Sequence, residues 1–291
     1  MIYTEHRAAE GFLALAQSAI ERQECANALM LGIALRLVRE PNAYGSQPYL
    51  ATVESAEGIR VAAVMTPPHR LQLYTPDDSN FEGLGSVADA LLKGKWPVPG
   101  VMAREAVAQT FASIWSRKTG SRCRTGMRQR IHELREVVPP PQPCGEFAQA
   151  IDGNLELVRR WACGFHQDCF GDGRPDLRHA EELLRRGDLF LWVDGDPKSM
   201  AARTRPTPHG QCISLVYTPP EYRRRGYATA LVARLSQRIL DGGKQFCTLY
   251  TNLSNATSNS IYRSIGYRGV ADVIDVHFEA ESGSHQVQPN S

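Results

Sequence analysis

The chain has 291 residues, 42% hydrophobic and 22% charged, with 33 Lys and Arg set against 31 Asp and Glu for a formal charge of +2. With a mean hydropathy of −0.34, this is the composition of a folded, water-soluble chain long enough for two cores of about 100–150 residues each, which excludes disordered and membrane-spanning classes. The near balance of charge gives no ground for a nucleic-acid or membrane partner, and none is expected.

No window reaches the roughly 18–20 apolar residues of a membrane span. The opening segment MIYTEHRAAEGFLALAQSAIERQE spreads Glu5, Glu10 and Glu21 through a helix-like pattern and lacks the apolar run and cleavage site of an export signal, so a cytoplasmic location is expected. The seven cysteines, an odd number without paired spacing, read as reduced thiols.

A repeat comes next. Residues 48–69, PYLATVESAEGIRVAAVMTPPH, lie without gaps on residues 188–209, DLFLWVDGDPKSMAARTRPTPH. Each copy has a β-rich run, an acidic residue with turn formers, a second run and a proline break ending in Pro-His. Tyr-Thr-Pro then recurs at 74–76 and 217–219. This order indicates a duplicated α/β unit; the alternative is two unrelated hairpins that share common turn chemistry. Between the copies, GMRQRIHELREV predicts a strand and VVPPPQP an extended linker.

In the second half, GEFAQAIDGNLELVRRWACGFHQDCF and PDLRHAEELLRRGD predict two helices. Cys163, His166 and Cys169 fall on successive turns of the first, yet no second half-site exists, so no metal is expected. CISLVYT (212–218) predicts a strand stopped by Pro219 and Pro220. From Gly226, Ala228, Leu231, Val232, Leu235 and Ile239 repeat at helical spacing. FCTLYT (246–251) predicts a strand, SNATSNSIYRSIG a capped helix closed by Gly266, and residues 267–278 a strand pair before a polar, disordered tail.

The strand, the loop TPPEYRRRGYAT and the glycine at a helix start together form an anion-binding geometry, because main-chain N–H groups and the positive helix end converge where no side chain blocks approach. Neither the phosphate loop with Gly-Lys-Ser/Thr nor a GxGxxG turn occurs at this junction. Arg223, Gly226 and Ala228 resemble the Arg/Gln-x-x-Gly-x-Gly/Ala signature of the GNAT N-acetyltransferase superfamily. The resemblance covers about residues 145–279 and implies the following. Val216, Tyr217 and Thr218 pair with the pantetheine arm of acetyl-CoA, the cosubstrate. Arg224, Arg225, Gly226, Tyr227, Ala228 and Thr229 hold its pyrophosphate. Asn255 faces the CoA arm, and Tyr262, seven residues on, is the general acid that protonates the leaving thiolate. The acceptor implied is the primary amine of a small molecule or peptide. Asp194, Glu221 and His209, or a chain of waters, are the candidate bases. Cys247 is a candidate acyl-accepting nucleophile, although a lone strand cysteine is more usually a buried structural thiol.

The fold expected is α/β (α+β): tandem GNAT-like domains, each a mixed, mostly antiparallel twisted sheet flanked by helices. Residues 1–125 form a degenerate copy without a cofactor site, since DDSNFEGLGS replaces the arginine loop with Asp77, Asp78 and Glu82, which would repel a phosphate. That copy is left to shape the substrate cleft or a homodimer surface. Residues 126–143 form a connecting strand and proline-rich linker, 144–279 the catalytic domain and 280–291 the tail. The competing readings are a catalytically silent acyl-CoA-binding or regulatory module, and a nucleic-acid binder using the three arginines, which lacks an aromatic platform.

Overall fold

The computed structural model describes residues 1–79, 81–171 and 175–279; the expected tail at 280–291 lies outside the described residues. The chain divides into two compact units, the first made of Met1–Arg22, Ile33–Arg128 and Asp272–Ser291, the second of Gln23–Gly32 and Gln129–Ala271. Both are discontinuous in sequence.

The first unit holds β1 (Ile2–Glu5), α1 (Ala9–Glu21), most of α2 (Ala28–Arg39), β2 (Tyr49–Ser55), β3 (Gly58–Met65), β4 (Leu71–Tyr74), α3 (Leu84–Lys93), β5 (Gly100–Arg104) and α4 (Glu105–Thr119). Its strands are ordered β1-β2-β3-β4-β5, followed by β12 (Arg268–Glu279) from the chain's other end. β4 and β5 run parallel, Leu71 opposite Val101, while β12 meets β5 antiparallel, Ile274 opposite Ala103. Alternation puts Ile274 and Val276 into a core with Leu71, Leu84, Val87, Phe111 and Trp115, between the sheet and helices α3 and α4.

In the second unit the same order recurs: β7 (Glu146–Gln149), α5 (Leu155–Phe170), α6 (Leu177–Arg185), β8 (Leu189–Asp194), β9 (Asp196–Thr204), β10 (Gly210–Tyr217), α7 (Tyr227–Asp241), β11 (Phe246–Asn252) and α8 (Ala256–Ser264). Its sheet runs β7-β8-β9-β10-β11 and then β6 (Arg122–Leu134), whose Gln129–Leu134 pair with β11 antiparallel. β6 follows α4 and β12 follows α8, so each unit's last strand is the one that follows the other unit's last helix. On one face α7 and α8 close a core of Leu231, Leu235, Cys247, Leu249, Tyr262 and Tyr267; on the other, α5 and α6 pack Val158, Trp161 and Leu183 on Leu189, Leu191 and Met200.

Two expectations are corrected. Residues 145–170 are not one helix. Glu146–Gln149 pairs with β8, Phe147 stacking on Phe190 at 5.2 Å, and Asp152, Gly153 and Asn154 form a single 3-10 turn before α5 begins. Nor do residues 267–278 form a strand pair. Val270 to Phe278 contains no Gly, Pro or Asn to reverse the chain, and one twelve-residue strand results.

Candidate functional site

β10 and β11 run parallel through Gly210–Phe246, Gln211–Cys247 and Cys212–Thr248, where their register ends. On its other side β10 pairs with β9 as far as Ser214, and the register then shifts before Tyr217. Leu215 lies inside that bulge with φ of 51°, a left-handed conformation that an L residue adopts only where the surroundings impose it. The bulge bends β10 away from β11, opening a split in the sheet from residue 213 onward. β11 continues against β6 as far as Asn252.

At this open end the chain turns through Pro219, Pro220 and a 3-10 turn into α7. Gly226 is the N-cap at φ 84°, and no side chain caps the helix. Its first N–H groups, on Tyr227, Ala228 and Thr229, therefore keep their hydrogen-bonding capacity for a ligand. A Cβ on Gly226 would meet nothing nearer than Pro143 at 3.9 Å. Arg224 also has a positive φ, 61°, so the arginine loop curls with successive N–H groups on one side. Arg224 and Arg225 are exposed.

Arg223 plays a different part. Its Nε donates to the Thr218 carbonyl at 2.9 Å, another guanidinium nitrogen to Asp168 Oδ2 on α5 at 2.5 Å, and the group lies over the Tyr217 ring at 5.9 Å. It ties the end of β10 to α5. Tyr217 fills the space between, its hydroxyl so close to Gly164 that a Cβ there would stand 2.3 Å away. Thr218 donates to Ser199 Oγ at 2.9 Å and Ser199 to the Tyr217 carbonyl at 3.0 Å, which holds the strand's last residues onto β9. Val216 faces the α7 core. Tyr227 is buried, its hydroxyl donating to Asp194 Oδ2 at 2.6 Å.

Tyr262 projects from α8 into the same core and is 8% exposed, 6.4 Å from the His132 ring and edge-on to Tyr267. Burial, with a smaller push from Cys169, raises its hydroxyl above the ordinary 10. Asn255 caps α8, its side chain accepting from Ser258 N at 3.0 Å. The turn before it is fixed by Asn259, which donates to the carbonyls of Asn252 and Asn255 at 3.1 and 2.9 Å and accepts from Thr251 at 2.6 Å; Thr251 in turn meets His132 Nε2 at 3.0 Å.

Residues 192–274 match the family model described as FR47-like protein. No curated protein matches the chain. Among solved structures, a Drosophila protein is similar over 97% of this chain and 99% of its own at TM-score 0.68 and 12% identity. A GCN5-related N-acetyltransferase from Sphaerobacter thermophilus is similar over 95% of each chain (TM-score 0.61, 16% identity), and a tandem GNAT protein from the clavulanic acid biosynthesis pathway over 97% and 99% (0.58, 13%). The chain has the tandem GNAT fold.

Within this GNAT fold, the two units differ at the same point. In the first, Gly83 is the N-cap of α3 at φ 91°, again without a side-chain cap, but a Cβ there would lie 2.8 Å from Val53 and 3.2 Å from Val61. Asp78 and Glu82 stand beside that start, Asp78 paired to Arg104 at 2.9 Å. The second unit alone combines an open glycine with flanking arginines.

Packing bears on three single residues. Cys247 is fully buried, and burial pushes its thiol up to about 12, the setting of a structural rather than a nucleophilic cysteine. His209 sits at the paired end of β10 and is held by Glu24 at 2.6 Å, away from the split. Asp194 is engaged by Tyr227. Among the described residues no group of three or more His, Cys, Asp or Glu is gathered for a metal, and no helix is long and apolar enough to cross a membrane. Gly164, Asp168 and Asn259 carry no local signal in the chain, although Gly164 and Asp168 lie between Cys163 and Cys169.

Proposed function

We propose that the second unit transfers an acetyl group from acetyl-CoA to the primary amine of a small molecule or peptide, by direct attack in a ternary complex. The observation that carries this reading is the parting of β10 from β11 after Cys212, with an open, uncapped helix start at the same end.

The edge of β10 at Val216, Tyr217 and Thr218 is turned away from β11 and is available to pair with an amide-bearing arm, as one further strand would. The N–H groups around Gly226 and the positive end of α7 suit a pyrophosphate, with Arg224 and Arg225 adding charge at the rim. Arg223 contributes by holding Tyr217 and α5 in place. As the amine attacks the thioester carbonyl, negative charge grows on its oxygen, and main-chain N–H groups at the bulge can meet that charge. The C–S bond then breaks and Tyr262 gives its proton to the departing sulfur. A phenol of ordinary pKa about 10 already carries its proton at neutral pH, so the proton is in place when the thiolate forms. His209 and Asp194 are committed elsewhere, so the amine's own proton leaves to solvent, directly or by way of the exposed Glu221.

The testing experiment measures acetyl transfer from acetyl-CoA to a broad panel of primary amines by chromatography. Transfer that falls in Tyr262→Phe supports the enzyme. Binding of CoA with no acetylated amine would instead favour the silent acyl-CoA-binding module.

A further inference from the structure

Opposite α7 and α8, the second unit's sheet is covered by two separate elements. α5 and α6 lie over β8, β9 and β10. Past them the cover is Gln23–Gly32, a stretch that precedes β2 in the chain but belongs to this unit. Cys25 Sγ donates to the His132 carbonyl of β6 at 3.8 Å. Gly32 lies so close to Arg205 that a Cβ would stand 3.0 Å from the arginine's own. The Leu29 backbone reaches the Tyr250 hydroxyl, and Cys25 reaches Thr248.

Those contacts locate the stretch at the split. Cys212 and Thr248 form the last rung between β10 and β11, and Tyr250 lies two residues beyond it, paired only to Ile131 of β6. Its register puts Tyr250 on the face away from Leu249 and the α7 core. On the transferase reading the cosubstrate lies on the α7–α8 side with Gly226 and Tyr262, which leaves to the amine the other face, bordered by Gln23–Gly32.

Among the contacts holding this border, Glu24 is the buried charge. It is 7% exposed, its Oε1 accepts from His209 N at 2.9 Å, its Oε2 lies 2.6 Å from His209 Nδ1, and Thr207 also hydrogen-bonds the carboxylate. A buried carboxylate needs such partners to be tolerated, and they fix the backbone on either side of it.

We infer that Gln23–Gly32 is the wall bounding the acceptor side of the split, that the Glu24–His209 clasp holds it there, and that this wall limits the size of the amine admitted. The inference rests on the transferase reading for its substrate and on geometry alone for its clasp. Cys25 is buried within the wall, its thiol turned to β6, and Cys212 is buried on β10, whereas Cys247 is buried on the opposite face with its thiol donating to the Ser236 carbonyl; Cys123, Cys144, Cys163 and Cys169 are exposed.

The test alkylates the native full chain with N-ethylmaleimide and maps the labelled peptides in wild type, Glu24→Gln and His209→Asn. Wild type is expected to label at the four exposed thiols only. In each variant Cys25 and Cys212 should label about tenfold faster or more, with Cys247 still protected. The same proteins are then given acetyl-CoA and a series of primary alkylamines of increasing bulk. Preference should shift toward the bulkier amines, with CoA affinity unchanged. Unchanged protection of Cys25 and Cys212 overturns the clasp, and Cys247 labelling in step with them overturns it too, by showing general loosening. Exposed Cys25 and Cys212 with unchanged amine preference overturns the wall. If wild type acetylates no amine, the transferase reading and the wall's role in selection fail together, while the labelling still decides the clasp.

Discussion

Gly226→Ala isolates the phosphate cradle from the stability of the fold. At φ 84° an alanine costs about 1–2 kcal/mol relative to glycine. No clash is added, because the new Cβ would have Pro143 at an ordinary 3.9 Å as its nearest neighbour. Urea denaturation should therefore show a loss of about 1–2 kcal/mol and a folded protein. The same methyl stands where a phosphate must approach the main chain, so calorimetric affinity for CoA should fall about tenfold or more, equal to about 1.4 kcal/mol. Gly226→Glu adds a like charge and should bring binding below detection. Gly83→Ala is the control: its φ is 91°, and Val53 at 2.8 Å adds overpacking. Strain and overpacking together should cost about 2–5 kcal/mol while CoA affinity stays unchanged. Wild-type CoA affinity in folded Gly226→Ala and Gly226→Glu would refute the cradle.

Tyr262→Phe should lower kcat about 100-fold or more while leaving the KM for acetyl-CoA near wild type, which steady-state kinetics at saturating amine will show. Gly164→Ala would drive a Cβ to 2.3 Å from the Tyr217 hydroxyl. It should cost about 1–3 kcal/mol by thermal and urea unfolding and also weaken CoA binding, because Tyr217 cannot stay where it is. The Glu24 carboxyl is pushed up by burial, but the hydrogen bonds from Thr207 and His209 and the His209 charge outweigh this and hold it below the usual range. A depressed pKa stabilises the fold above the unfolded carboxylate pKa and is lost as pH falls through the folded value. Glu24→Gln should therefore cost about 1–3 kcal/mol at pH 7 and progressively less below about pH 4, read by denaturant titration at each pH.

Much of this was legible in the chain. The strand CISLVYT and the spacing from Gly226 locate β10 and α7 to within two residues, because an apolar run stopped by two prolines and a helical repeat opened by a glycine are local signals. The repeat at 48–69 and 188–209 anticipates the common order of elements in the two units. What stayed hidden depends on pairing partners distant in sequence. Nothing local in RQRIHEL or ADVIDVHF says that β6 joins β11 and β12 joins β5. Leu215 carries no mark of its positive φ, since the bulge is imposed by the register against β9. The motif groups Arg223 with the cofactor-binding residues; Asp168, 55 residues earlier in sequence, gives it a structural partner that no pattern in the motif names.

Only the second of the two similar units is expected to bind CoA, which calorimetric titration of the full chain with acetyl-CoA will decide. One equivalent should bind per chain, abolished by Gly226→Glu and unaffected by Gly83→Ala. Two equivalents, or one that survives Gly226→Glu and is lost in Gly83→Ala, would contradict it.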